Sequence, residues 1–385
     1  EPGKVGSYLC GPTVYGPAHL GHGRATVTYD ILRRYLEWTG LEVRLVSNIT
    51  DIDDNIINRA NRENRDWKDI TTKCEAMWWQ AMDGVGNERP TDVPHATEWV
   101  DEMVPLIGDL VDRDLADVTA DGVYFAVEGV EDYGLLAHQS LDDMRSGGGE
   151  REVFGADEKR HPADFVLWKF SKPDEPAWPS PWGDGRPGWH SECVVMSLEL
   201  LGEGFDLHCG GQDLRFPHHE NERAQAVALG KKFANHWKHN VFVVDAEGEK
   251  MSKSIGNVSN LLDLIEQYDP RAYRIVLLQS HYRSPVRLGQ ANIDQAVASL
   301  AGLDTFATRS ASVIDGAVPD PEVIDRFRSA MDDDLDTPKA MSIVFATLRA
   351  AHSAIDAGDA SAGPLADAVA EMTGEVGLAL GSAAD

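Results

Sequence analysis

The chain is poor in cysteine, short of positive charge and without a long apolar run, and each shortage removes a class of protein. Four cysteines in 385 residues, Cys10, Cys74, Cys193 and Cys209, are too few to staple a fold of this size. In a reducing compartment they are thiols or metal ligands. No hydrophobic run approaches the ~20 residues that a membrane span needs. The start, EPGKVGSYLC, lacks the basic region and apolar core of a secretion signal and opens without Met, as a trimmed chain would. The expectation is a soluble cytoplasmic protein with no membrane partner. Acids outnumber bases 64 to 35, for a formal net charge of −29, and Arg outnumbers Lys. At low salt that balance argues against polyanion binding. It also fits adaptation to molar salt, where the Debye length falls to ~3 Å and acidic repulsion is screened. The reading adopted is a halophilic protein, in which polar and shape contacts, rather than counterion release, would carry nucleic-acid binding.

At this length two or three domains are expected. VGSYLCG reads as a strand, GPTVYGPAHLGHG as a loop, and RATVTYDILRRYLEW as an amphipathic helix; LEVRLVSNIT and DIDDNIINRAN repeat the strand–helix order. That alternation opens a doubly wound parallel sheet. Further helices are expected near 66–82 and 95–115. From about 121 to 190 the texture changes to mixed segments and a Pro, Gly and Trp-rich run, SKPDEPAWPSPWGDGRPGW, read as an insertion. GFDLHCGG and the segment after Pro217 resume the sheet. Beyond about 290 the chain is alanine-rich and helical. The fold class is therefore α/β: a Rossmann-type doubly wound parallel sheet split by an α/β insertion, followed by an α-helical bundle. The boundaries expected are 1–115 and 199–258 for the two catalytic halves, 116–198 for the insertion, 259–290 for stem-contact helices and 291–385 for the bundle.

Three stretches carry chemistry. In HCGGQDLRFPHHENERAQA, Pro217 suits the first turn of a helix, because its missing N–H has no partner there anyway. A helix from that point sets His218 and Glu222 on one face and sends His219 and Arg223 elsewhere. One imidazole beside one carboxylate is half of a zinc site, and the other half must come from distant parts of the chain. In PTVYGPAHLGHG, His19 and His22 stand at a helix entrance, where exposed N–H groups and partial positive charge suit phosphate. Ordinary turn histidines are the alternative. KMSKS, with Lys250 and Lys253, follows a strand and could clamp a triphosphate, or be a solvated basic turn. The two loops together, in this order, are far more specific than either alone.

The paired motifs resemble the class I aminoacyl-tRNA synthetases. More narrowly, YLCGPTVYGPAHLGHGRA, NITDIDDNIINRA, DFVLWKFSKPDEPAWPSPWGDGRPGWHSEC, GGQDLRFPHHENE, EKMSKSIGN and DDDLDTPKA resemble the cysteinyl-tRNA synthetase family along nearly the whole chain. The resemblance implies ATP, with Mg²⁺, bound between the two loops. It implies L-cysteine activated to an adenylate and passed to tRNA(Cys), and one Zn²⁺ held by Cys10, Cys193, His218 and Glu222 that also takes the substrate sulfur. A pocket that merely fits cysteine would reject the serine hydroxyl only ~10²-fold, short of the ~10⁴–10⁵ that translation needs. A soft thiolate on zinc closes that gap.

The resemblance also assigns His19, His22, Lys250 and Lys253 to catalysis. Thr13, His19, His22, Thr50, Gly211, Asp213 and Lys253 go to ATP or adenylate, and Cys10, Trp189 and Asp213 to cysteine. His208 is expected near the metal without binding it; Cys74 and Cys209 are expected as small buried side chains. The acids of DIDDN are expected to cap a helix. The family's opening strand before residue 1 and its small C-terminal anticodon module are not found within these residues, and a monomer is expected. A cysteine ligase of the mycothiol-pathway type, acting on an amino-sugar, is the main rival. A catalytically dead zinc-bearing paralogue is the other.

Overall fold

The computed structural model describes residues 2–141, 159–245, 260–314 and 318–380. Lys250 and Lys253, and with them the KMSKS stretch, lie outside the described residues. The chain divides into two compact units: Glu1–Gly16 with Arg44–Glu75 and Pro90–His239, and Pro17–Val43 with Ala76–Arg89 and Asn240–Asp385.

Strand β1 (Lys4–Leu9) and strand β2 (Glu42–Ser47) belong to a four-stranded sheet with β7 (Leu207–Gly211) and β8 (His236–Asn240), in the order β2-β1-β7-β8. β1 and β7 run parallel, with Tyr8 opposite His208 and Leu9 opposite Cys209. Each strand is exposed or half-buried at its start and buried toward its carboxyl end in β1 and β2. In open parallel sheets that end is where ligands bind. Gly11 follows β1 because nothing larger fits: a β-carbon there would lie 1.5 Å from the Asn48 carbonyl oxygen.

Between the two parallel strands the chain builds a second, antiparallel sheet of β3 (Ala116–Val118), β4 (Gly122–Phe125), β5 (Phe165–Phe170) and β6 (Gly185–Pro187). Val123, Phe125, Leu167 and Trp168 are buried in one cluster with Ile107 and Leu110 of the helix Val100–Asp112. The Phe125 and Phe165 rings stack at 4.9 Å. The helix Trp189–Leu201 then returns the chain to β7.

Local signals explain the helix ends. The helix Asp54–Glu63 starts on Asp53, whose carboxylate accepts the Asn55 N–H at 2.7 Å, and stops at Asn64 in the left-handed region (φ 48°). That is the capping role read from DIDDN. Asp320 and Asp336 cap the helices Pro321–Asp332 and Thr337–Ala357, each with proline in the first turn. In the second unit Arg274 is fully buried. It pairs with Asp30 and donates to the Val376 carbonyl at 2.7 Å and the Val85 carbonyl at 3.0 Å. Among the described residues no helix is long and apolar enough to cross a membrane.

Candidate metal centre and nucleotide loop

The first unit gathers the candidate metal-ligating residues. Cys10 leaves the end of β1, Cys193 sits in the first turns of Trp189–Leu201, and His218 and Glu222 come from the segment after Phe216. One donor atom from each lies within 4.8 Å of all the others. The two sulfurs are 3.9 Å apart; Cys10 Sγ is 3.7 Å from Glu222 Oε1, and His218 Nε2 is 3.1 Å from the same oxygen. A tetrahedral zinc with Zn–S near ~2.3 Å would hold two sulfurs about 3.8 Å apart. The donor set therefore fits that ion in both chemistry and spacing.

The sequence placed His218 and Glu222 correctly relative to each other but not the helix that carries them. The helix proper runs Glu220–Ala228, three residues later than a start at Pro217. Phe216 is extended (φ −141°, ψ 133°), and Arg215–His219 make a wider turn in which the His219 N–H donates five residues back, to Leu214 O at 2.8 Å. The second consequence concerns His219, which was expected to point away. Its Nε2 lies 3.3 Å from Cys10 Sγ, inside the cluster. His208, expected as a bystander, has Nε2 2.6 Å from Glu222 Oε2. With Cys10 and Glu222 these two imidazoles make a second group of four donors within 4.8 Å. Cys209 is buried against the Ser7 hydroxyl at 3.7 Å and Cys74 is buried near Arg59, neither in a donor group.

Burial governs the charges. Desolvation pushes the Cys10 thiol well up, and the neighbouring Cys193 and Glu222 add to it. Cys193 and Glu222 are raised for the same first reason, burial. Desolvation and four surrounding histidines push His219 well down, so it is a neutral imidazole. Those shifts favour the protonated forms of the buried acids, and a divalent ion bound there would take the place of the protons.

Around the cluster, Trp189 stacks on His218 at 3.9 Å, and His190 Nδ1 meets His218 Nδ1 at 2.8 Å, which turns the other nitrogen of His218 toward Glu222. Thr13 and Thr50 form a parallel bridge. The Thr50 hydroxyl donates to Glu192 Oε2 at 2.8 Å and accepts from Asn48 Nδ2 at 3.2 Å, while Asn48 Oδ1 accepts the Gly11 N–H at 2.9 Å. Glu192 is 1 % exposed, and burial pushes its carboxyl well up. Asp213 is exposed and sits directly beside Gly211, whose missing side chain leaves room for its carboxylate. His190, Glu192 and Asn48 were not picked out from the sequence. The i, i+3, i+4 spacing of Trp189, Glu192 and Cys193 in WHSEC is the signal that could have marked Glu192.

In the second unit the HLGH loop is built on itself. His19 caps the helix Leu20–Trp38: its Nδ1 accepts the His22 N–H at 3.1 Å, and His22 Nδ1 accepts the His19 N–H at 3.2 Å. The rings stack at 3.4 Å, and His22 meets Trp78 edge-on. Because each Nδ1 is an acceptor, each neutral ring carries its proton on Nε2. Desolvation, with the neighbouring His19 ring adding to it, pushes His22 down to about 3.

Two family models match the chain: the class I (C) tRNA synthetase catalytic domain over residues 1–298, and the DALR domain over 326–382. The chain is 44% identical to the cysteine–tRNA ligase of Geobacter metallireducens over 93% of its own length and 76% of that protein. It is 45% identical to that of Thioalkalivibrio sulfidiphilus over 99% and 82%. In fold it matches methionyl-tRNA synthetase of Mycobacterium tuberculosis bound by methionyl-adenylate, at a TM-score of 0.70, 13% identity, and coverage of 97% and 92%. It also matches the LeuRS of Agrobacterium radiobacter K84 in a LeuRS–tRNA–LeuAMS complex, at 0.74, 11% identity, and 99% and 84%. These are class I aminoacyl-tRNA synthetases in fold. The chain belongs to that class I family, in the branch whose curated relatives are cysteine–tRNA ligases.

Proposed function

We propose that the protein activates L-cysteine with Mg·ATP to cysteinyl-adenylate and pyrophosphate, then passes the cysteinyl group to tRNA(Cys). It works as a cytoplasmic monomer with one zinc per chain. The observation that carries the reading is the convergence of Cys10, Cys193, His218 and Glu222 on one point, at separations suited to zinc. Bound there, zinc supplies a soft Lewis-acid contact that lowers the pKa of a thiol and favours sulfur over a neutral hydroxyl.

The residues of the chain do the rest. Trp189, stacked on His218, forms a wall of the amino-acid pocket and holds that ring in place. Asp213, beside Gly211, accepts from the substrate ammonium or the adenylate ribose, and Thr13 and Thr50 face the adenylate. His19 and His22 present Nε2–H donors to phosphate oxygens as charge shifts during attack by the cysteine carboxylate. Lys250 and Lys253 neutralise the leaving pyrophosphate. A 2′-hydroxyl of the terminal adenosine then takes the cysteinyl group, with the antiparallel insertion seating the acceptor end and the helical bundle the inner limb of the tRNA. Transfer to an amino-sugar is not favoured, because the curated relatives are cysteine–tRNA ligases.

The test is cysteine- against serine-dependent pyrophosphate–ATP exchange, with and without zinc, at low salt and in molar KCl. Exchange with cysteine that is lost with the metal and restored by it is expected. Equal exchange with both amino acids, or cysteine preference intact in Cys10→Ala, which removes a donor from every group of four, would defeat the metal-based account.

A further inference from the structure

We propose that the metal has a second position in this cluster, formed by Cys10, His208, His219 and Glu222, sharing two donors with the first. The inference rests on the zinc reading above and goes beyond it. Cys10 and Glu222 belong to both groups of four. Glu222 divides its carboxylate between them: Oε1 lies 3.1 Å from His218 Nε2, and Oε2 lies 2.6 Å from His208 Nε2. Cys10 Sγ stands 3.9 Å from Cys193 Sγ on one side and 3.3 Å from His219 Nε2 on the other. A tetrahedral zinc would set a sulfur and an imidazole nitrogen about 3.5 Å apart.

Both added imidazoles are held as metal ligands need to be. A ligating histidine is oriented through its far nitrogen, commonly by a backbone carbonyl or another acceptor. His208 Nδ1 is 3.3 Å from the Tyr8 carbonyl, so its proton sits there and Nε2 faces the cluster. His219 Nδ1 meets His239 Nε2 at 2.9 Å, which leaves its Nε2 toward Cys10. The two rings stack at 4.3 Å and both are fully buried. The first position offers two thiolates, one imidazole and one carboxylate; the second offers one thiolate, two imidazoles and one carboxylate. Zinc accepts either set. An ion that loses Cys193 or His218 therefore has a place to go without leaving the protein.

Metal content and cobalt spectroscopy of the full chain test this. The wild type should hold one equivalent of Zn²⁺ or Co²⁺, with a thiolate-to-cobalt charge-transfer band in the near ultraviolet. Cys193→Ser should keep close to one equivalent, with that band at about half strength, because one thiolate remains of two. His219→Gln alone should keep one equivalent and an unchanged band, whereas Cys193→Ser with His219→Gln should lose the metal. Far-ultraviolet circular dichroism confirms that each variant is folded, and His218→Gln in place of Cys193→Ser gives the same comparison by an independent route. Loss of metal from folded Cys193→Ser and His218→Gln alike overturns the second position, as does retention in the double variant. A wild type that binds no metal overturns the zinc reading itself.

Discussion

Arg274 and the cluster around Cys10 both bury ionisable groups, and they solve the problem differently. Arg274 is buried with its countercharge in the chain: Asp30 pairs with it, and the Val376 and Val85 carbonyls and Asn87 Oδ1 accept from it. The cluster around Cys10 gathers thiols, a carboxyl and imidazoles, none of which carries a fixed positive charge, and burial pushes its acids up. One site is finished by the fold; the other, on the function proposed above, is finished by an ion. The first should respond to mutation through stability, and the second through selectivity.

The largest effect expected is on the ion-dependent side. Cys10→Ala or Glu222→Gln should strip the first position and bring discrimination against serine down toward ~10²-fold from ~10⁴–10⁵. Competing pyrophosphate exchange with the two amino acids measures it. The next belongs to the HLGH loop and its proposed contact with phosphate. His19→Asn keeps a side chain that caps a helix well but removes the Nε2 donor, so cysteine activation should slow by ~10²-fold or more with the melting temperature unchanged. If the melting temperature falls and the rate does not, the histidine is only a cap.

On the self-contained side, Arg274→Met alone should cost about 1–3 kcal/mol, read from urea unfolding, because it strips a donor from the Val376 and Val85 carbonyls and from Asp30, which keeps Arg34. The comparison is sharpened by pH. In the metal-free fold Glu222 is raised above its ordinary value, so the folded state holds a proton that the unfolded chain has lost. Stability without metal is therefore greatest below the ordinary carboxyl range and falls as pH rises through the raised value. Zinc replaces that proton, so the gap in melting temperature between loaded and stripped protein should widen from pH ~5.5 to ~8. A gap constant with pH would show that the ion displaces no proton. The smallest effect is Asp53→Ala, about 1 kcal/mol for a lost cap.

Features set by neighbouring residues could be read directly from the sequence. His218 and Glu222 meet because residues four apart across the turn that enters the helix Glu220–Ala228 stay close, and Asp53 caps because its side chain reaches only two residues ahead. The alternation of strand and helix pointed to a parallel sheet, and β1 and β7 do run parallel, but their pairing and register, with Tyr8 opposite His208, were not legible. The meeting of Cys10 and Cys193 came only from family resemblance, because 183 residues separate them. The inward direction of His219 could not be read at all. It depends on an extended Phe216 and a wide turn that helical periodicity does not encode. Nor could the Glu192–Thr50–Asn48 chain be read, since it joins two segments through buried polar contacts that leave no period in the sequence.

Gly11 has the last consequence. Its backbone passes so close to Asn48 that a methyl group would force the two segments apart, and the thiol of residue 10 would travel with them. On the proposed metal reading, the bite of the donor set, and with it the ionic radius preferred, would depend on a residue that contributes no donor. Gly11→Ala should loosen the cage and tilt its choice from zinc toward a larger soft ion such as cadmium.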